Sequence, residues 1–212
     1  MKLWPGCAAL VLAIIALVAA IPADGAAREA RATFCKPRHS KTLAGAHGVR
    51  LVLVANTARA DEYGEPVTLY ACFPTSRRRV VLERFPSTVL WTPRIVRVTP
   101  RFAAYTATGE GIPCEKYGGT DCIRSAVAVR TLRTGRRRCF DSSPADALAL
   151  TSNGWAAWRV PGSGEVPSVL RACDSSGVRD LDSGDIDPAS VRAAGDAVAW
   201  ARDGQPQSAT LR

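Results

Sequence analysis

The sequence predicts an all-β fold of repeated small sheets, and three observations carry that expectation. The stretch "GWAAWRVPGSG" at residues 154–164 is echoed by "DAVAWARDGQ" at 196–205, so one structural unit recurs. Short segments such as "VRLVLVA", "RIVRV", "SAVAVRTL" and "DAVAWA" are rich in Val and aromatics and bounded by Gly, Pro, Asp, Asn or Ser, as strands closed by turns are. After the first 27 residues no uninterrupted helical period of helix length occurs.

Residues 1–27 read as an export signal: Lys2 gives a positive start, Ala8 to Ile21 is unbroken apolar, and Gly25-Ala26-Ala27 supplies small residues for cleavage. That apolar run is 14 residues long, short of the roughly 20 a spanning helix needs. Residues 28–212 are therefore expected to form one secreted or cell-envelope domain without a membrane span. Six cysteines remain in it, an even number that favours disulfides after an export signal. The pairs expected are Cys114 with Cys122 across the loop "CEKYGGTDC", Cys35 with Cys72, and Cys139 with Cys173.

Placing Trp158 over Trp200 aligns Gly154 with Asp196 and Gly162 with Gly204. Tyr105 of "RFAAYTATG" falls at the same place, and "GVRLVLVANT" at 48–57 supplies a fourth copy. The units run approximately over 41–85, 94–142, 146–184 and 187–212. Their second halves, "YACFPTSRRRVVLER", "VRTLRTGRRRCFDS" and "LRACDSSGVRDLDS", each read strand, turn, strand, with Ser76, Gly135 and Gly177 at the turns. A period of roughly 40 to 53 residues suits propeller blades of four short strands. Strands apolar on both faces fit sheets packed on each side. The expectation is a β-propeller-like domain of about four blades; a dimerising half-propeller and a curved β-sandwich are the alternatives. The last unit holds three strands, Ala189 to Arg192, Asp196 to Ala201 and Gln207 to Leu211, and its missing outer strand is expected from Ala32 to Lys36.

The repeat resembles the WD40-like and TolB-type β-propeller repeats of exported bacterial proteins, chiefly in "GWAAW" and "AVAWARDG", where a Gly or Asp turn precedes an aromatic strand. The Gly-His and Trp-Asp dipeptides of WD40 repeats are missing, and of the acidic, Pro-containing turn of TolB blades only "DIDPAS" at 185–190 is present. The resemblance implies a binding scaffold rather than a particular reaction.

Motifs for chemistry are sparse. His39 and His47 lie in turn-rich sequence, and no Gly-x-Ser-x-Gly elbow, Walker loop or GxGxxG element accompanies them. The run Asp180, Asp182, Asp185, Asp187 lacks the EF-hand spacing and reads as turns whose carboxylates cap backbone N–H groups. No cofactor or metal is expected. Asp61, Glu62, Glu65, Glu110 and Glu115 fall on the two inserted loops and carry the alternative of a secreted carbohydrate-active hydrolase.

Charge points elsewhere. The net charge is +9; residues 28–140 hold 21 basic and 8 acidic residues, whereas residues 141–212 hold 6 and 10. Such asymmetry steers an acidic partner toward one region. The triplets Arg77, Arg78, Arg79 and Arg136, Arg137, Arg138 share one repeat position, and guanidinium clusters grip oxyanions. Successive strand residues alternate faces, so the three arginines of a triplet do not all aim one way. The leading expectation is an exported, non-enzymatic binding or scaffold protein that presents these arginines, with Tyr63 and Tyr117 on the inserted loops, to a protein or an anionic envelope polymer. Nucleic acid is not the expected partner. A purely structural half-propeller that assembles into a dimer is the third reading.

Overall fold

A computed structural model describes residues 34–60, 65–86, 89–111 and 123–212. The fold is all-β, with four small antiparallel sheets in chain order. The first joins β1 (Ser40–Ala46), β2 (Val49–Ala55), β3 (Val67–Phe73) and β4 (Arg78–Phe85). The second joins β5 (Val89–Val98), β6 (Phe102–Gly111), β7 (Ile123–Thr131) and β8 (Arg137–Asp141). The third joins β9 (Ala147–Leu150), β10 (Ala156–Val160), β11 (Ser168–Asp174) and β12 (Gly177–Gly184), and the fourth β13 (Arg192–Ala194), β14 (Ala197–Arg202) and β15 (Gln205–Thr210). Each sheet is a simple meander, which short turns between neighbouring strands allow.

The sheets pack face to face in series, and the two-residue period of the second strands explains how. In β6, Ala103, Tyr105 and Ala107 bury against Leu51, Leu69, Ala71 and Leu82 of the first sheet. The alternate residues Phe102 and Ala104 bury against Leu148, Ala156 and Trp158 of the third. Trp200 and Val198 in turn pack on Ala149, Ala157, Leu170 and Ala172. Alanines let the sheets approach closely, and a large aromatic from the second strand of the following sheet, Tyr105, Trp158 or Trp200, fills space in each seam. The first strands of successive sheets lie side by side, β1 by β5, β5 by β9 and β9 by β13. Leu43, Val96, Leu148 and Val191, one from each sheet or the segment leading into it, border a cavity of about 550 Å³.

A polar contact accompanies each aromatic. Tyr105 Oη donates to Glu83 at 3.0 Å, and Arg130 also donates to Glu83. Trp158 Nε1 donates to Ser143 Oγ at 3.1 Å, which donates to Asp141, and Arg171 reaches the same carboxylate at 3.3 Å. Trp200 Nε1 donates to Asp182 at 2.8 Å, and Arg202 at 2.6 Å. In every case an aromatic and an arginine of one sheet meet a carboxylate in the last strand of the preceding sheet. Burial and then the Glu83 charge push the Tyr105 phenol well above its usual value. Burial alone would raise the Asp182 carboxyl, but hydrogen bonds from Trp200 and Arg202 outweigh it and hold the group low.

Two disulfides extend the pattern. Cys139 of β8 bonds Cys173 of β11 across the seam between the second and third sheets, and Cys35 bonds Cys72 of β3. Cys35, Val52 and Cys72, with Phe34 and Val54, form a small core on the face of the first sheet turned away from the second.

Four sequence expectations need correction. Asp180 and Asp182 are not in turns: both belong to β12, where Asp180 pairs with Arg171 and Asp182 accepts from Trp200 and Arg202. Phe34 to Lys36 is not a strand of the fourth sheet: the Cys35–Cys72 bond fixes it over the first. The strand expected over Ala189 to Arg192 begins only at Arg192, because Pro188–Ser190 is a 3-10 turn whose Ala189 N–H donates to Asp187 at 2.9 Å. Glu110 is not in a loop; β6 continues through it, with Glu110 opposite Ile123. No described helix is long and apolar enough to cross a membrane.

Candidate functional site: an arginine-lined groove

Because every sheet is a meander, alternate turns share an end of the molecule, and hydrogen bonds stitch one set together. Leu132 N–H donates to Arg101 O at 2.9 Å, Ser152 N–H to Gly195 O at 2.9 Å, and Ser175 N–H to Arg212 O at 2.7 Å. The interstrand turns at this end hold Arg77, Arg101, Arg133 and Arg136 with a lone acid, Asp196, among the described residues. The turns at the opposite end hold Arg59 with Glu65, Asp146, Glu165, Asp185, Asp187 and Asp203. Among the described interstrand turns, one end is thus mainly basic and the other mainly acidic.

At the basic end, where the first and second sheets meet, a groove of about 610 Å³ opens. Arg78, Arg101, Arg133 and Arg138 line it, with Ser76 and Thr131 between them. Phe73, Pro100, Phe102 and Leu132 make up the rest of its walls, the last two being buried. None of its lining residues is acidic, and among the described residues none of the four arginines has an ion pair.

Local sequence builds these positions. Arg77 takes a left-handed φ of 48° to close the β3–β4 turn, after which Arg78 and Arg79 alternate faces. Arg78 enters the groove and donates to Arg133 O at 2.9 Å. Arg79 turns to the other face, stacks on Phe34 with 4.6 Å to the ring centre, and donates to Phe34 O. At the β7–β8 turn Gly135 is obligatory: its φ is 72°, and a Cβ there would lie 2.2 Å from Val81 O. Gly135 therefore lets this turn close down on the first sheet. Gly154 does the same from the third sheet, where a Cβ would meet the Phe102 ring at 2.6 Å.

Arg138 is the most constrained of the four. Its guanidinium lies 3.9 Å from the Trp155 ring centre and 4.9 Å from that of Phe102, and it donates to Asn153 O at 3.3 Å. Burial, then the charges of Arg101 and Arg136, push it below the usual arginine value, yet a guanidinium remains cationic at neutral pH. Arg101 also lies over the Phe102 ring, 5.5 Å from its centre. Four like charges stand here without counter-charges among the described residues, three of them held by ring or backbone contacts, and guanidiniums so placed are chemically suited to bind oxyanions.

Of the six arginines singled out from sequence, Arg78 and Arg138 line the groove, and the exposed Arg136 is close enough to act on Arg138. Arg77 and Arg79 are outside it, and Arg137 stacks over the exposed Phe140 at 5.0 Å. Tyr63, Tyr117, Cys114 and Cys122 lie outside the described residues, as do Asp61, Glu62 and Glu115. Arg101, Arg133 and Phe102 belong to the groove without having been singled out. His39 and His47 both adopt left-handed φ values in turns, and no described cluster of His, Cys, Asp and Glu forms a metal site. No protein-family model matches the chain, and no curated protein is similar to it.

Proposed function

We propose that the protein is an exported, non-enzymatic binding scaffold: a propeller-like ring of four blades whose basic end captures an anionic envelope polymer or an acidic partner. One observation carries the reading, the gathering of Arg78, Arg101, Arg133 and Arg138 around a single groove without a carboxylate. Keeping like charges together costs folding energy that a counter-charged partner returns on binding. Export is supported by the Cys35–Cys72 and Cys139–Cys173 disulfides, which persist in oxidising surroundings. The ring is supported by the serial packing of the sheets and by the cavity that residues of all four units border.

The test is salt elution from a polyphosphate or heparin matrix. Changing Arg78, Arg101, Arg133 and Arg138 together to Gln should lower affinity at least tenfold and flatten its salt dependence, since each lost oxyanion contact removes roughly one unit of salt slope. The control with Arg77, Arg79 and Arg137 changed to Gln removes three charges outside the groove and should fall no more than about threefold if only long-range attraction is lost. Equal losses in the two proteins would mean that net charge, not the groove, does the binding.

A further inference from the structure

We propose that the groove takes a phosphate ester or diphosphate attached to an apolar or aromatic group. The inference rests on the reading of the groove as an anion site and adds the two-part chemistry of its ligand.

Charge sets the first part. Four arginines line one volume of about 610 Å³, and a single carboxylate would neutralise one of them. A diphosphate brings two or more charges and enough oxygens to accept from several guanidinium forks at once. Arg78 and Arg138 spend N–H groups on the carbonyls of Arg133 and Asn153, but each guanidinium has five, so donors remain for a ligand. Those backbone contacts and the stacking on Trp155 fix the donors before any ligand arrives, which lowers the entropy lost on binding.

The walls set the second part. Phe73 and Pro100, backed by the buried Leu132, give the groove an apolar side that a polyphosphate or uronate chain would leave unused. Guanidiniums already cover the Phe102 ring from Arg101 and Arg138 and Leu132 is buried, so the free apolar surface is that of the half-buried Phe73 and the exposed Pro100. A cluster of oxyanion donors beside such surface matches a ligand with a charged head and an apolar body. The volume is within the roughly 300–1,000 Å³ of small-ligand sites.

Titration calorimetry with four probes tests this: inorganic diphosphate, geranyl diphosphate, ADP and geraniol. Geranyl diphosphate or ADP should bind at least tenfold tighter than inorganic diphosphate, and geraniol should show no binding. The tighter of the first two identifies the source as an isoprenoid-type or a nucleotide-type ligand. Phe73→Ala should bring the tailed diphosphates toward inorganic diphosphate, and Arg133→Gln, at an exposed position, should weaken all three anions threefold or more. Should Phe73→Ala lose its native circular dichroism, the four-probe ranking and Arg133→Gln still decide. Equal affinity for all three anions would overturn the two-part ligand. If none of them binds while polyanion retention still depends on the groove arginines, this proposal falls and the anion-site reading stands; if retention is also indifferent to those arginines, both fall.

Discussion

Arginines of the seams and arginines of the groove are one residue type put to opposite uses. Arg130, Arg171 and Arg202 each meet a carboxylate of the preceding sheet, and an aromatic from their own sheet is tied to the same carboxylate, directly or through Ser143. Arg78, Arg101, Arg133 and Arg138 meet only aromatic rings, carbonyls and one another. A buried charge without a partner is expensive, so the largely buried seam carboxylates, 10% to 27% exposed, each come with an arginine. An exposed cluster tolerates the missing partner and leaves its donors for a ligand. The difference separates residues that hold the sheets together from residues left without a counter-charge, eight residues apart in the case of Arg130 and Arg138.

The comparison breaks most visibly at the first seam. Arg130→Met leaves Glu83 largely buried with only the Tyr105 hydroxyl as a donor; the Arg130 and Glu83 side chains are 11% and 27% exposed. The expected loss is about 2 to 4 kcal/mol in denaturant unfolding, at the lower side of buried-pair truncations because Glu83 keeps some solvent. Polyanion affinity of the folded variant should stay within about twofold, because one charge outside the groove acts only at long range. A large loss of affinity with unchanged stability would reverse the assignment of roles.

The third seam offers a smaller effect with a pH signature. The folded-state Asp182 carboxyl lies below its usual value, so its contribution is fully present above the unfolded pKa of about 3.9 and is lost as pH falls through the folded value. Asp182→Asn should therefore cost about 1 to 3 kcal/mol at pH 7, the worth of hydrogen bonds to a charged group. The gap between variant and parent should narrow as pH drops below about 4. Unfolding midpoints at pH 7 and pH 3 check this, and a gap that widens in acid would refute the direction of the shift.

How far the chain discloses itself follows the same division between local and distant contacts. The equivalence of Tyr105, Trp158 and Trp200 is visible in sequence because strand periodicity and turn glycines are local, and the three side chains do occupy corresponding seams. The opposite directions of Arg78 and Arg79 are visible for the same reason. The carboxylates that the aromatics meet, Glu83, Asp141 and Asp182, are hidden, since each belongs to the preceding sheet. Arg101 and Arg133 are hidden too: single arginines in unrelated turns become neighbours only through the Leu132 to Arg101 backbone bond and the packing of Gly135 on Val81. Pro188 marked a break in the expected strand at Ala189, but capping by Asp187 was needed to make it a turn.

The finest test asks whether the groove contributes to the fold at all. Substituting Arg78, Arg101, Arg133 and Arg138 with Gln removes mutual repulsion, two hydrogen bonds to carbonyls and the stacking on Phe102 and Trp155, while no ion pair among the described residues is lost. Surface charge changes without partners usually fall within about 0.5 kcal/mol. Relief of repulsion offsets these losses, so the balance should be near neutral at low salt and turn slightly destabilising as salt screens the repulsion in the parent protein. Thermal unfolding at low and high ionic strength measures it. A destabilisation above about 1 kcal/mol, beyond the usual surface range, would make the cluster part of the scaffold and undo the contrast with Arg130. Stability preserved together with lost polyanion affinity would show that these arginines are held for a partner, because the chain itself gains nothing from keeping them unpaired.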